Sequence, residues 1–238
     1  MKDHNGLELA KWFDVELPRS TVLSYCLSIT IYYLARVCYG LGIKPPFVNY
    51  KFERCDNALF QEGFWQDKLF VKQVGTPKLR SNIILNNYNQ ELLKRICSSE
   101  SISIHVRRGD YLSDKNQEIF GDICTSSYYK EAVCFLKEKF TNPIFYIFSN
   151  DVEYAKELFS SEQNCTYVDG NSGDKSFFDL YLMSHSQGMI LANSTFSCWA
   201  AYLNNRAKYV CAPHKWVNKG IIPSVNLDSW HIINVDNL

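Results

Sequence analysis

The sequence predicts an α/β fold with a doubly wound parallel sheet from Ser101 onward. Short apolar runs alternate there with segments whose apolar residues recur at helical spacing, and no internal repeat interrupts the pattern. Alternating strands and helices favour a parallel sheet with helices on both faces. Polar residues directly follow several of the apolar runs, and such sheets bind ligands at the carboxyl ends of their strands. We therefore expect a binding site at that edge.

Residue spacing defines the first elements of this region. One face of the first predicted strand carries Ile102, Ile104 and Val106, and the other carries Ser103, His105 and Arg107. Apolar residues at helical spacing follow the cap signal Ser126-Ser127 and predict a helix to Phe140. A buried strand is expected over 143–149 and a helix over 152–159.

The later elements follow the same alternation. A short strand is predicted over 165–169, and a capping box at Ser176 to Asp179 predicts a helix through His185. Another buried strand is expected over 188–192, a helix over 194–203 and a last strand over 207–213. The first hundred residues are less regular, with a long helix predicted up to Gly42 and a short one over 89–97.

The segment from Leu23 to Gly42 is the most apolar part of the chain. Its uncharged part is shorter than the roughly 20 residues that a membrane span needs, and Arg36 interrupts it. We expect a buried or interfacial helix and no transmembrane segment. The start of the sequence also lacks the basic and apolar regions of a signal peptide.

Composition narrows the classes of partner. Lys+Arg and Asp+Glu are balanced at 25 each, so no global field attracts nucleic acid, and any anion site must be local. The nine cysteines are irregularly spaced without a zinc-ligand pattern, which favours a reducing, cytoplasmic location.

Arginine pairs and a helix start suggest that anion site. Arg107 and Arg108 end a strand, and a guanidinium grips phosphate oxygens bidentately. The segment after the fourth strand places Ser194 and Thr195 at a helix start, which forms either a second anion cradle or an ordinary N-cap. Arg108 to Asp110 also reads Arg-Gly-Asp, an adhesion tripeptide that carries little weight without a secreted, exposed loop.

Missing motifs restrict the chemistry further. The sequence has no Gly-x-Gly-x-x-Gly, no P-loop and no Asp-x-Asp, so neither a dinucleotide nor a metal-held diphosphate is supported. Arginines and a helix terminus can neutralise a leaving diphosphate instead. These absences favour a nucleotide-sugar transferase that needs no metal and no cofactor.

Several segments together resemble the α-1,2-fucosyltransferases of glycosyltransferase family 11. In chain order these are GLELAKWFDVEL (6–17), GFWQDKLF (63–70), HVRRGDY (105–111), ICTSSYYKEA (123–132), FSND (148–151), DLYLMSHSQGMILANSTFSCWAAYLN (179–204) and APHKW (212–216). The resemblance implies inverting, metal-independent transfer of fucose from GDP-β-L-fucose to the 2-hydroxyl of a galactoside. It also implies a GT-B-like fold of two Rossmann-like domains.

The resemblance assigns roles to individual residues. Arg107 would grip the β-phosphate and stabilise the departing GDP, and Arg108 would support it or pair with Asp110. His105 would line the donor pocket, and Asp151 would accept hydrogen bonds from guanine. Phosphate would be bound at the helix start by Ser194, Thr195 and Ser197. Asn150 stands where the family usually has aspartate.

The proton acceptor that inversion requires stays open at this level. Asp110 is the best-placed carboxylate by sequence, but an ion pair with Arg108 explains it equally well. His185 and His214 are interpreted as packing residues.

The beginning of the sequence departs from the family pattern, because the family's Gly-Gly-Leu-Gly-Asn-Gln loop is not found. We therefore expect residues 1–100 to be the remnant of an acceptor-side domain and 101–238 to be the GDP-fucose-binding domain. The expected partners are GDP-fucose and a galactose-terminated acceptor, lipid-linked or soluble, at the inner membrane face. The alternative is a non-catalytic GDP-sugar-binding protein or an inactive, truncated relative.

Overall fold

A computed structural model describes residues 8–16, 21–43, 48–49, 60–61, 66–220 and 222–238. Two compact units divide the chain, and the boundary between Leu7–Arg80 and Ser81–Leu238 lies at Ser81. The segment GFWQ at 63–66, which supported the family resemblance, lies mostly outside the described residues.

The described part of the first unit contains three helices and a two-stranded parallel sheet. These are α1 (Leu9–Trp12), α2 (Val22–Gly40), β1 (Val48–Asn49), β2 (Phe60–Gln61) and α3 (Lys68–Val74). Helix α2 begins at a capping box. The Thr21 side chain accepts a hydrogen bond from the backbone N–H of Ser24, and the Ser24 side chain accepts one from the backbone N–H of Thr21.

Helix α2 is largely exposed to solvent. Ala35 is buried, whereas large apolar side chains such as Leu23, Leu27 and Leu34 are exposed. Of the two predicted alternatives, the buried helix is therefore wrong, and the interfacial helix stays a prediction. By length and composition the helix could cross a membrane. Those two criteria are also met by helices of soluble proteins, so they do not establish a span.

The second unit contains the predicted sheet. Its elements are α4 (Asn87–Ser98), β3 (Glu100–Val106), α5 (Asp114–Phe120), α6 (Ser126–Lys139), β4 (Pro143–Ser149), α7 (Val152–Leu158), β5 (Cys165–Val168), α8 (Ser176–Met183), β6 (Gly188–Ile190), α9 (Thr195–Leu203), β7 (Tyr209–Pro213) and β8 (His231–Ile233). In the described residues, six strands pair in the order β5-β4-β3-β6-β7-β8, and every pairing is parallel. The predicted α/β class with a doubly wound parallel sheet is confirmed.

The chain reverses its direction of travel across the sheet at β3. Strands β4 and β5 lie on one side of β3, and β6 to β8 lie on the other. In the registers, Val106 pairs with Ser149 of β4, and Ile104 pairs with Ile190 of β6. The crevice outside the carboxyl ends of β3 and β6 is therefore the topological switch point, where open α/β sheets bind ligands.

Apolar clusters cover both faces of the sheet. One cluster joins Tyr146, Phe148 and Met189 to helices α4, α8 and α9. The other joins Ile102 and Ile104 to α6 and α7. The alternation of apolar and polar residues along β3 assigns each side chain to one of these faces, because successive side chains of a strand point in opposite directions.

Several boundaries differ from the sequence prediction for identifiable reasons. The compact unit that holds the sheet begins at Ser81, because α4 buries Leu92 and Ile96 in the same cluster as Tyr146. The division into an acceptor-side region over 1–100 and a donor-binding domain over 101–238 stays a prediction. The predicted capping box at Ser176 is wrong, since Lys175 occupies the N-cap without a side-chain bond. Helix α5 and strand β8 were not predicted.

Candidate active site

Arg107 lies just beyond the carboxyl end of β3 and forms a two-point ion pair with Asp110. The distance from Nε to Asp110 Oδ1 is 2.8 Å, and Nη2 donates a hydrogen bond to Oδ2 over 2.9 Å. A 3-10 turn over Gly109–Leu112 brings the carboxylate back to the guanidinium three residues earlier. This arrangement is the bidentate fork that arginine also offers to phosphate.

Arg108 has a different partner. Its Nη1 lies 2.8 Å from Asp151 Oδ2, and its guanidinium stacks over the Tyr154 ring at 4.1 Å. The suggested pairing of Arg108 with Asp110 is therefore wrong, because the turn delivers Asp110 to Arg107. The register of β3 and β4 places the loop after β4, and so Asp151, beside Arg108.

Asp151 connects Arg108 to the start of α7. Its Oδ1 accepts a hydrogen bond from Tyr154 N at 3.1 Å and caps the helix. The hydrogen bond from Arg108 holds the pKa of Asp151 below its usual value. Each carboxylate oxygen thus has a protein partner, so the observed contacts of Asp151 orient Arg108 and cap α7. The predicted contact with guanine stays a prediction.

Asn150 fixes the loop that carries both arginines. Its Oδ1 accepts from Arg108 N at 2.9 Å and from Gly109 N at 3.3 Å. A Cβ on Gly109 would lie 2.6 Å from Asn150 Nδ2, so any larger residue would displace the amide. The sequence placed Asn150 among the polar residues that follow a strand and showed its departure from the family pattern, but it did not predict this role in fixing the loop.

His105 occupies the sheet face that packs against α9. Its ring centroid lies 5.6 Å from that of Phe196, and Nδ1 is buried without a hydrogen-bond partner. Burial, and then the nearby charge of Arg107, lower the pKa of His105 to about 3. The imidazole is therefore neutral at physiological pH and keeps one unused polar atom.

The three candidate residues at the start of α9, Ser194, Thr195 and Ser197, differ in burial and in hydrogen bonding. Ser194 is the N-cap, as the ordinary alternative stated, and its Oγ accepts from Phe196 N at 3.4 Å. Ser197 is fully buried, and its hydroxyl donates to the carbonyls of Ala192 and Ser194. Thr195 is the exposed member of the three. The hydroxyl of Ser197 thus serves the backbone rather than the crevice.

Tyr111 and Asn193 connect the loop after β3 with the loop after β6. The Tyr111 hydroxyl donates to Asn193 O over 2.9 Å, and Asn193 Nδ2 donates to Phe120 O over 3.0 Å. Burial raises the pKa of Tyr111 to about 12, so its hydroxyl stays protonated as a donor. These bonds place Arg107 and the start of α9 at one crevice.

A cavity of about 200 Å³ opens beside the two arginines on the α6 side of β3. Its lining combines aromatic, hydroxyl, amide and charged groups. The lining includes Arg107, Tyr111, Gln117, Phe120, Asp122 and Ser126. Of the predicted site residues, Arg107 and Arg108 line this cavity.

His185 and His214 each contact the backbone, in line with their interpretation as packing residues. His185 Nδ1 lies 2.7 Å from Tyr181 O, and His214 Nδ1 accepts from Val235 N at 3.1 Å. Among the described residues, no group of three His, Cys, Asp or Glu side chains could hold a metal ion. The cysteines in the described ranges are free thiols.

Comparison with known proteins matches this chain to a glycosyltransferase family model and to individual glycosyltransferases. The family model described as Glycosyl transferase family 11 matches residues 44–234. An Escherichia coli Alpha-1,2-colitosyltransferase is 35% identical over 165 residues, covering 66% of this chain and 56% of that protein. The O-antigen biosynthesis glycosyltransferase WbnK of Escherichia coli is 32% identical over 139 residues, covering 58% and 46%.

The chain thus spans about half the length of these curated relatives. Among solved structures, the NodZ alpha-1,6-fucosyltransferase soaked with GDP-fucose aligns with a TM-score of 0.44 and 14% identity. That alignment covers 82% of this chain and 68% of NodZ.

Proposed function

The chain belongs to glycosyltransferase family 11, and on this premise we propose that it transfers L-fucose from GDP-β-L-fucose to the 2-hydroxyl of a galactoside. Membership of the family was predicted from the sequence motifs and is confirmed. It makes the chain a transferase of fucose or a related sugar. The specific donor, acceptor and stereochemistry are the proposal.

The geometry of Arg107 is the observation that supports this proposal most directly. Its guanidinium stands at the switch point of the sheet and already presents a bidentate fork to an oxyanion, the carboxylate of Asp110. A diphosphate offers the same pairs of oxygens with more charge. The Tyr111–Asn193 bond keeps the start of α9 at the same crevice, where backbone N–H groups favour an anion.

His105 completes the proposed donor side. A buried polar atom without a partner is uncommon in folded proteins and requires an explanation. In the proposed complex, Nδ1 of His105 bonds the donor nucleotide, which supplies the missing partner. Asp151 and Arg108 hold the neighbouring loop in place, and Asp151 stays the candidate for reading the guanine base.

The proposed transfer inverts the configuration at C1 of fucose in a single displacement. The acceptor O2 attacks C1 of fucose as the bond from C1 to the β-phosphate oxygen breaks, and GDP leaves with the bonding electrons. Arg107 stabilises the negative charge that develops on the diphosphate. The proton of the acceptor hydroxyl passes to Asp110, whose side chain is about half exposed at 49%. Engagement of Arg107 by the diphosphate releases that carboxylate for this role.

Colitose is the second candidate donor sugar. It lacks the 3-hydroxyl of fucose, and a relative 35% identical to this chain carries the name colitosyltransferase. A site that bonds the 3-hydroxyl rejects the analogue strongly, whereas a site without that contact discriminates weakly. The two donors can therefore be separated by their relative rates.

The proposed setting is the cytoplasmic face of the inner membrane, with a lipid-linked or soluble galactose-terminated acceptor. Free thiols throughout the described part of the chain support a reducing compartment. The exposed apolar helix α2 supports peripheral contact with lipid.

The decisive experiment incubates the protein with GDP-fucose or GDP-colitose and a panel of β-galactosides and measures the products by mass spectrometry. We expect a mass increase of one deoxyhexose on galactose-terminated acceptors and an α-1,2 linkage by methylation analysis. GDP binding without any transfer would instead establish the non-catalytic GDP-sugar-binding alternative.

A further inference from the structure

Arg107 and Arg108 line one part of the cavity on the α6 side of β3. The rest of its lining comes from the turn after β3, from α5, from the loop between α5 and α6, from the start of α6, and from Tyr154 and Asn193. His105, Ser194 and Thr195, which the proposed function places on the donor side, are not among its lining residues. Something other than the nucleotide therefore has room beside the reacting phosphate.

Two aromatic rings form an apolar platform in this cavity. Tyr111 and Phe120 stack with their centroids 5.0 Å apart and their planes at 19°. Their positions are fixed by the hydrogen bonds of Asn193, which accepts from the Tyr111 hydroxyl and donates to Phe120 O. Such a platform suits the C–H face of a pyranose ring, which is the apolar side of a sugar.

Three polar side chains complete the lining. Gln117, Asp122 and Ser126 have no hydrogen-bond or ion-pair partner for their side chains in the part of the chain that the structure describes. Together they offer amide, carboxylate and hydroxyl groups, which match the mixed donor and acceptor character of sugar hydroxyls.

The charge of Asp122 distinguishes between possible ligands. This exposed carboxylate would repel a second phosphate group in the same cavity, whereas it accepts hydrogen bonds from neutral hydroxyls. Asp122 directly follows the C-cap of α5 and has a positive φ of 56°, a conformation that aspartate and asparagine tolerate after the last turn of a helix.

We infer that this cavity is the subsite for the acceptor sugar, a neutral pyranose. Tyr111 and Phe120 pack against its C–H face, and Gln117, Asp122 and Ser126 bond its hydroxyls. The inference rests on the proposed function, because the adjacency of the cavity to Arg107 places an acceptor hydroxyl beside the leaving diphosphate. It assigns specificity for the acceptor to α5 and the following loop.

Saturation-transfer NMR with methyl β-D-galactopyranoside, in the presence of GDP, tests this subsite. The variants are Asp122→Asn, which tolerates the same positive φ, and Phe120→Leu, which keeps an apolar side chain but removes the ring. We expect each to weaken galactoside binding by about tenfold and to leave GDP affinity unchanged. Asp174→Asn is the matched control, since Asp174 is exposed in a 3-10 turn outside the cavity.

Galactoside binding that is unchanged in both variants would overturn the subsite. Competition between the galactoside and GDP would overturn it too, as would pyrophosphate affinity that changes on Asp122→Asn, because either result assigns the cavity to the diphosphate. The proposed function has a separate readout in GDP binding by the wild type. Galactoside binding without GDP binding would contradict the proposed function but support the subsite. GDP binding without galactoside binding would contradict the subsite but leave the proposed function standing.

Discussion

At the scale of single residues, the two adjacent arginines are not equivalent. Arg107 meets Asp110 within its own turn, whereas Arg108 reaches Asp151 and the Tyr154 ring on another element. Asp110 can release Arg107 to a ligand without disturbing a helix. Asp151 cannot release Arg108 as simply, because it also caps α7. In the proposed function, Arg107 therefore contacts the phosphate and Arg108 supports the loop.

Replacement of Arg107 tests that assignment. We expect Arg107→Ala to lower kcat by about 100- to 1000-fold, the usual effect of losing an oxyanion donor. Arg107→Lys should fail as well, because an ammonium cannot reproduce the fork. Initial rates of fucosyl transfer measure both. Arg95→Lys on the exposed face of α4 is the control and should keep full activity. A rate above half that of the wild type in either Arg107 variant would refute the role.

Asp179 predicts a pH-dependent stability. Its Oδ1 accepts a hydrogen bond from Asn171, but burial raises its pKa from the usual 3.8 to about 7. The folded state then binds the proton more tightly than the unfolded chain, so this residue's contribution to stability falls as pH rises from about 4 to about 7.

Asp179→Asn should remove this contribution. Relative to the wild type, the variant should gain stability as pH rises from 4 to 7 and show no further relative change above 7. Urea unfolding at a series of pH values measures the difference. Asp174→Asn, at an exposed position, should run parallel to the wild type. If Asp179→Asn also ran parallel, the carboxyl group would not titrate in this range.

At the scale of elements, the start of α9 shows how one helix turn divides its hydroxyls between fold and function. Ser194 caps the helix and Ser197 bonds two carbonyls in the interior, so both serve the fold. The exposed Thr195 stands at the first helical position with its hydroxyl directed to no carbonyl in the described hydrogen bonds. Only its position and exposure suit a contact with donor phosphate.

A matched pair of substitutions separates these roles. Thr195→Val keeps the side-chain shape and should weaken GDP binding by about tenfold, because a hydrogen bond to a charged phosphate is lost. Ser197→Ala should leave GDP affinity unchanged and lower the free energy of unfolding by about 1 kcal/mol. Calorimetric titration with GDP and urea unfolding measure the two quantities. If GDP affinity fell in Ser197→Ala and stayed unchanged in Thr195→Val, the phosphate contact would belong to Ser197 instead.

At the scale of the whole molecule, the proposed transfer requires local basic groups to neutralise the leaving diphosphate, because the net charge of the protein is balanced. Lys+Arg and Asp+Glu are equal in number, and the basic groups at the switch point are Arg107 and Arg108, which are paired with Asp110 and Asp151, together with the start of α9. We predict that these groups act without a metal ion.

Transfer activity should therefore survive excess EDTA without measurable loss, because guanidinium and helix terminus supply the charge stabilisation that a divalent ion would otherwise supply. The measurement is the initial rate before and after chelation, with added Mn²⁺ as the comparison. A rate that collapses with EDTA and returns with Mn²⁺ would show that a metal ion carries the diphosphate.

The sequence alone determined the α/β class and predicted the edge of the sheet at which the candidate site lies. The alternation along 100–106, the continuous apolar run along 143–149 and the helical periodicity along 126–139 depend only on which side chains are apolar. The order of strands and helices along the chain could therefore be predicted from the apolar pattern of each segment. The family, too, was determined at this level, because its motifs are contiguous stretches of residues.

Only the tertiary structure decided which charges pair and which polar groups are free. Arg108 and Asp151 lie 43 positions apart, and the register of β3 against β4 brings them together. The burial of Ser197 and of His105 Nδ1 likewise depends on how α9 packs on the sheet. The cavity beside Arg107 is lined by residues from β3, α5, α6 and α7 and from the loops next to them, which only the fold brings together. Partner choice and burial depend on contacts between distant segments, so a linear pattern does not encode them residue by residue.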